Sequence, residues 1–228
     1  MGGSHEIRKL QNLQILIAKH FAKFKLSNED DLQLYYISLL MEALEHFNLN
    51  GDLDSAYGIV EPIIEGYAHG KKINEFLDII ILNSCIIICK SYLKVDLIVV
   101  NLFRELKVFK DNPSYERLLA SINTNYATRL LHVKYFEQSE REFDRTTFFK
   151  SELQDLFEKS IQTSLKLCVE NHWDAMYASI MIRVALFYRN KYLLNMAMLF
   201  IERNGLVGQY ETTRMMVARY TSQNEEVN

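Results

Sequence analysis

The chain has 228 residues, 49% apolar and 24% charged, a balance that supports a substantial core and excludes intrinsic disorder. A net charge of −3 and a pI near 6.1, with no basic stripe, argue against a direct nucleic-acid partner. Two prolines and eight glycines are too few for the turns of an all-β fold, and three cysteines (Cys85, Cys89, Cys168) in apolar runs point to a reducing, cytoplasmic setting rather than a disulfide framework.

Residues 1–5, Met1-Gly2-Gly3-Ser4-His5, read as an expression-vector scar outside the fold. Residues 6–25 place Ile7, Leu10, Leu13, Ile17, Phe21 and Phe24 at steps of three and four, the pattern of an amphipathic helix. Ser27-Asn28-Glu29-Asp30 is a helix-start cluster, with Ser27 and Asp30 spaced as in a capping box. A second helix runs to about Asn48 and ends at Asn50-Gly51-Asp52. A third, capped by Asp52 or Asp54, continues towards Gly70 with a kink at Pro62. Residues 73–92 are apolar nearly all round and read as one helix packed on several sides. Its apolar run, Ile79 to Cys89, is shorter than the roughly 20 residues of a membrane span.

A helix at 95–110 stops before Asp111-Asn112-Pro113-Ser114, the clearest stop-start signal in the chain. Further helices are expected at 114–133, 136–145, 147–170, 173–189, 192–204 and 209–221. Gly205 and Gly208 bracket the last turn, and 223–228 form a polar tail or truncated linker. One helical domain over 6–222 is the simplest organisation.

A twelve-residue step recurs between small or apolar positions: Leu44 to Ala56, Ala127 to Ser139, and Ala185 to Ala197. Such a step places one residue midway along a helix and the next early in its partner, where two antiparallel helices cross. Three stretches extend the pattern: Leu40, Ala43, Phe47, Gly51, Leu53, Ala56 and Val60; Tyr126, Ala127, Leu130, Phe136, Ser139 and Phe143; and Met181, Val184, Ala185, Tyr188, Ala197 and Ile201. This spacing resembles the tetratricopeptide-repeat (TPR) family over roughly 150 residues. It departs from the family where Leu40, Asn123 and Met181 replace an aromatic, and where a helix at 147–170 interrupts the repeat. The resemblance implies an all-α, TPR-like right-handed superhelix of antiparallel hairpins with a concave binding face.

In the helix 114–133, Ser121, Thr124, Asn125, Thr128 and His132 form a stripe of neutral polar groups able to hydrogen-bond an extended backbone. Resemblance to TPR-like peptide receptors makes Asn83 and Asn125 the matching asparagines. With Thr124, Thr128, Arg183 and Arg189 they form the expected ligand-binding face. Satisfaction within the helix packing is the plainer alternative for each, and an ion pair at the surface is the plainer one for the arginines, which include Arg129.

Glu42/His46 and Glu65/His69 stand at i,i+4, which suits a surface pair better than a metal site. Cys85 and Cys89, one turn apart, read as packed thiols, and Trp173 as a core anchor. No glycine-rich phosphate loop, Gly-x-Ser-x-Gly elbow or catalytic dyad is present, so a non-catalytic chain without cofactor is expected.

The resemblance implies a sensor or regulatory domain of a bacterial intracellular signalling protein, with a peptide or protein partner. Met215, Met216, Val217 and Tyr220 make the last helix apolar enough to expect a homodimer through it. A homo-oligomerisation scaffold and a TPR-containing helical phosphatase are the alternatives.

Overall fold

A computed structural model describes residues 29–50, 53–68, 72–73, 75–90, 92–137 and 147–206, and residues 210, 213–214, 216–218 and 220 near the C-terminus. All regular structure among them is helical. The helices are α1 (Glu29–Asn50), α2 (Leu53–Ala68), α3 (Phe76–Cys85), α4 (Tyr92–Leu106), α5 (Tyr115–His132), α6 (Thr147–Glu170), α7 (Asp174–Phe187) and α8 (Lys191–Arg203). The helix expected at 6–25, the Ser27–Asn28 start signal and most of the helix expected at 136–145 lie outside the described residues, as does the tail at 223–228. The chain divides into two compact units, Met1–Tyr115 and Glu116–Asn228.

In unit 1, α1 buries Tyr36, Leu40 and Ala43, while α2 buries Ala56, Val60, Ile63 and Ile64. These are the three-and-four steps of helices facing one core. Ala43 and Ala56 are wholly buried, while Leu44, which stands twelve residues before Ala56, is half-buried. Helix α2 runs unbroken through Pro62. The proline is exposed, on the outer side of the helix.

Helix α3 is shorter than the single helix expected over 73–92. It begins with a reciprocal capping box between Glu75 and Asp78. It ends at Cys85, where the Ile86 and Ile88 N–H groups reach back only three residues, to the Asn83 and Cys85 carbonyls (3.4 and 3.1 Å). The run Ile86-Ile87-Ile88 carries the β-branched crowding that weakens helix. It keeps Ile86, Ile88 and Cys89 in the core as a turn instead. Phe76 at the start of α3 meets Phe109, in the 3₁₀ turn Lys107–Phe109 after α4, edge-on at 5.6 Å, so these two helices are antiparallel. The stop signal after α4 forms as expected: the Ser114 N–H donates to Asn112 Oδ1 at 2.8 Å.

Unit 2 holds α5 to α8. The Asn171 side chain donates to Glu116 (3.0 Å), and Ser164 donates to the Ala120 carbonyl (3.0 Å), so α6 runs antiparallel to α5. The rings of Phe157 and Phe187 stack at 3.8 Å, and Tyr188 donates to Glu158, so α7 is antiparallel to α6. Helix α7 therefore returns in the direction of α5, with Arg183 bonded to Thr128 and Tyr135 to Leu186. Tyr177 on Phe200 at 5.6 Å sets α8 antiparallel to α7, and Ala185 and Ala197 are both buried.

Helices α6, α7 and α8 end alike. His172, Arg189 and Gly205 adopt positive φ (55°, 52° and 62°). In each case the next N–H reaches five residues back, Trp173 to Cys168, Asn190 to Ala185 and Leu206 to Ile201 (3.0, 2.8 and 3.0 Å). This is the Schellman closure, here with glycine at only one of three sites. Trp173, expected as a core anchor, is half-buried at the start of α7. Thr213 and Tyr220 are buried, and Tyr220 packs edge-on against Tyr135 at 5.3 Å. Part of the face expected to seek a second copy is thus turned onto its own unit.

Candidate functional site

The contact between α5 and α7 gathers most of the residues singled out from the sequence. Thr124 is buried; its hydroxyl donates to the Ala120 carbonyl (2.8 Å) and lies 3.3 Å from the Ser164 hydroxyl. Thr128 donates to the Thr124 carbonyl (2.8 Å) and accepts from Arg183 Nε (2.5 Å). Arg183 Nη1 donates to the Ser179 carbonyl (2.7 Å) and to its hydroxyl. Asn125, half-buried on α5, is engaged as well. Arg189 is exposed at the end of α7, its guanidinium 5.5 Å above the Tyr135 ring. The structure therefore joins Thr128 directly to Arg183 and spends the Thr124 and Thr128 protons inside α5. Asn83, 5% exposed, belongs to α3 of unit 1.

Arg183 is 8% exposed, and the partners of its guanidinium are hydroxyls and a carbonyl. Burial pulls its pKa down to about 10, opposed in part by Tyr220. The expected surface ion pair therefore fails for Arg183, which is buried on neutral acceptors; its place as the single cation in Ile180-Met181-Ile182-Arg183-Val184-Ala185 was the available signal.

Two residues of the site carried no such signal. After α5 a π-turn, Val133–Glu137, carries Lys134 and Tyr135 to the end of α7. There Lys134 Nζ donates to the Phe187 carbonyl (2.5 Å) and Tyr135 to the Leu186 carbonyl (2.7 Å). Lys134 thus answers a carbonyl at the helix end, and Tyr135 adds a second donor to the Leu186 carbonyl, which also accepts from the Arg189 N–H (3.0 Å). Lys134 also lies 3.8 Å from the centre of the Phe187 ring. Burial, then the charge of Arg189, lowers its pKa.

Unit 1 centres on a different polar group. Asp78 is 1% exposed and accepts from Tyr67, Gln33 (3.2 Å) and the Glu75 N–H of the capping box (3.1 Å), which ties α1 and α2 to the start of α3. Burial, then this hydrogen bond, raises the Tyr67 pKa. Sequence reasoning passed over Asp78, although its spacing from Glu75 is that of a capping box.

The three cysteines are buried free thiols. Burial pushes Cys85 up, helped by Cys89, and lifts Cys168 to about 11, so these groups stay protonated and poorly nucleophilic near neutrality. Among the described residues no group of three or more His, Cys, Asp or Glu side chains is placed to hold a metal ion, and no helix is long and apolar enough to cross a membrane. Compared with known proteins, the chain matches no protein-family model, no curated protein and no solved structure.

Proposed function

We propose that the chain is a non-catalytic, TPR-like binding domain whose α5–α7 face receives a peptide or a segment of a partner protein. One observation carries the reading: in unit 2 the first helices of successive hairpins, α5 and α7, run the same way with α6 reversed between them. The Schellman ends add to it. They flank the last hairpin at His172 and Gly205, 33 residues apart and close to the roughly 34 of a TPR unit, whereas the first helices α5 and α7 begin 59 residues apart. Continued stacking of such hairpins would build a right-handed superhelix with first helices on its concave side. A regulatory role in a bacterial signalling protein, in the reducing cytoplasm that three free thiols suit, completes the proposal.

A second reading, a homo-oligomerisation scaffold, draws on α8. Tyr192, Met196 and Leu199 stand one turn apart and are 74%, 48% and 44% exposed, a stripe suited to another protein surface. A thermal-shift screen of the full chain against a decapeptide library and nucleotides, run beside light scattering, separates the two. A peptide at 100 times its dissociation constant adds about 2.7 kcal/mol of stability. Mass doubling without any peptide response favours the scaffold.

A further inference from the structure

The C-terminal segment of unit 2 lies against the contact between α5 and α7. Its described residues, 210, 213–214, 216–218 and 220, are helical. Thr213 and Tyr220 are buried, Met216 and Val217 between them are half-buried, and Arg214 and Ala218 are exposed. That is one face of a helix over two turns. Tyr220 packs edge-on at 5.3 Å against Tyr135, in the turn after α5, and lies within electrostatic reach of the Arg183 guanidinium on α7. Those two partners are the ones that join the helices: Tyr135 donates to the Leu186 carbonyl, and Arg183 to the Thr128 hydroxyl.

The attachment is built like an interface rather than a core. Among the described residues of the segment the buried anchors are a threonine and a tyrosine, whereas α7 buries Ala178, Ile180, Ile182, Ala185, Leu186 and Phe187. Where the segment leaves α8, Ile201, Glu202, Gly205, Leu206 and Tyr210 line a cavity of about 280 Å³, so the join is not close-packed. Tyrosine is among the residue types that most often anchor a binding partner. A helix held by so few apolar side chains opens at a lower free energy than the helices beneath it. The face itself favours a helical occupant. Thr124 and Thr128 return their protons to α5 and cannot donate them to an extended backbone, whereas a helix satisfies its own backbone.

We propose that the α5–α7 face takes a helical ligand anchored by a tyrosine, and that the chain's own segment around Tyr220 occupies it as an autoinhibitory stand-in. This rests on the peptide-binding reading above and names its ligand class. An incoming helix must displace the segment, so its apparent affinity is reduced by the fraction of chains whose face is vacant.

Two measurements on the full chain test this. In native-state hydrogen exchange the amides of residues 213–220 should exchange at least tenfold faster than those of α7 and α8. Exchange only together with those helices overturns the proposal. The second is anisotropy of a fluorescein-labelled peptide of residues 209–222. The Tyr220→Ala chain, its helicity checked by circular dichroism, should bind the peptide at least fivefold more tightly than the unmodified chain, and the peptide carrying Tyr220→Ala should bind at least fivefold more weakly. Equal affinity of the two chains, or binding by neither, overturns the proposal. The decapeptide library is then applied to both chains. At least fivefold tighter binding of its members to Tyr220→Ala supports the autoinhibition. Equal binding to both chains overturns it and leaves peptide binding standing. The segment peptide bound, with no library member bound, sustains the self-occupied face and removes the external peptide.

Discussion

Replacing Arg183 with Met tests what the buried guanidinium contributes to the fold. The folded protein holds this guanidinium at a pKa of about 10 against an ordinary 12.5, which corresponds to a burial cost of about 3 kcal/mol. Methionine removes that cost and keeps most of the side-chain volume. Against it stand three hydrogen bonds, to Thr128, the Ser179 carbonyl and the Ser179 hydroxyl, worth about 1 kcal/mol each net. The Thr128 hydroxyl keeps its own acceptor at Thr124, so its loss is partial. The two sides nearly cancel, and the expected result lies between no change and about 2 kcal/mol of stabilisation, the range seen when buried charges give way to apolar groups. Urea unfolding at pH 7 reads this as an unchanged or raised midpoint at constant slope. A loss of about 3–5 kcal/mol would refute the reasoning, because it is the signature of breaking a compensated buried pair.

Ala185→Leu should overpack the α7–α8 crossing, where Ala185 is 2% exposed and Ala197 5%, and cost about 1–3 kcal/mol; an unchanged melting temperature would remove the crossing. His172→Gly should stabilise unit 2 by about 1 kcal/mol, since an exposed non-glycine residue there holds φ at 55°; a lower urea midpoint would mean that the imidazole contributes more than the strain costs. The Cys168 thiol titrates near 11 when folded and near 9 when unfolded, so the native state holds the proton longer and stability falls as pH rises through that window. By pH 10 the loss is about 1 kcal/mol, and Cys168→Ala should flatten that part of the stability–pH curve.

What could be read in advance depended on whether its cause was local. Helix α6 occupies the expected 147–170, and α7 and α8 begin and end within two residues of expectation, because caps and apolar periodicity act within one turn of the chain. The twelve-residue step from Ala185 to Ala197 found two buried small residues for the same reason. Helix α3 fails that rule: length and apolarity favoured one long helix, yet Ile86-Ile87-Ile88 can be buried as well in a turn as in a helix, and only the surrounding core decides between them. The site divides along the same line. A lone arginine inside the apolar stretch 180–187 announces its own burial, and its need for acceptors follows from desolvation. Which acceptors it finds is set by the register between α5 and α7, 55 residues apart in the chain at Thr128 and Arg183. Lys134 and Tyr135 belong to that register as well. In sequence they are an ordinary basic and an ordinary aromatic residue; across the helix contact they reach the carbonyls at the end of α7. A neutral polar stripe alone therefore names no partner, because Thr124 and Thr128 return their protons to their own helix, whereas the buried Arg183 reaches both its own helix at Ser179 and α5 at Thr128.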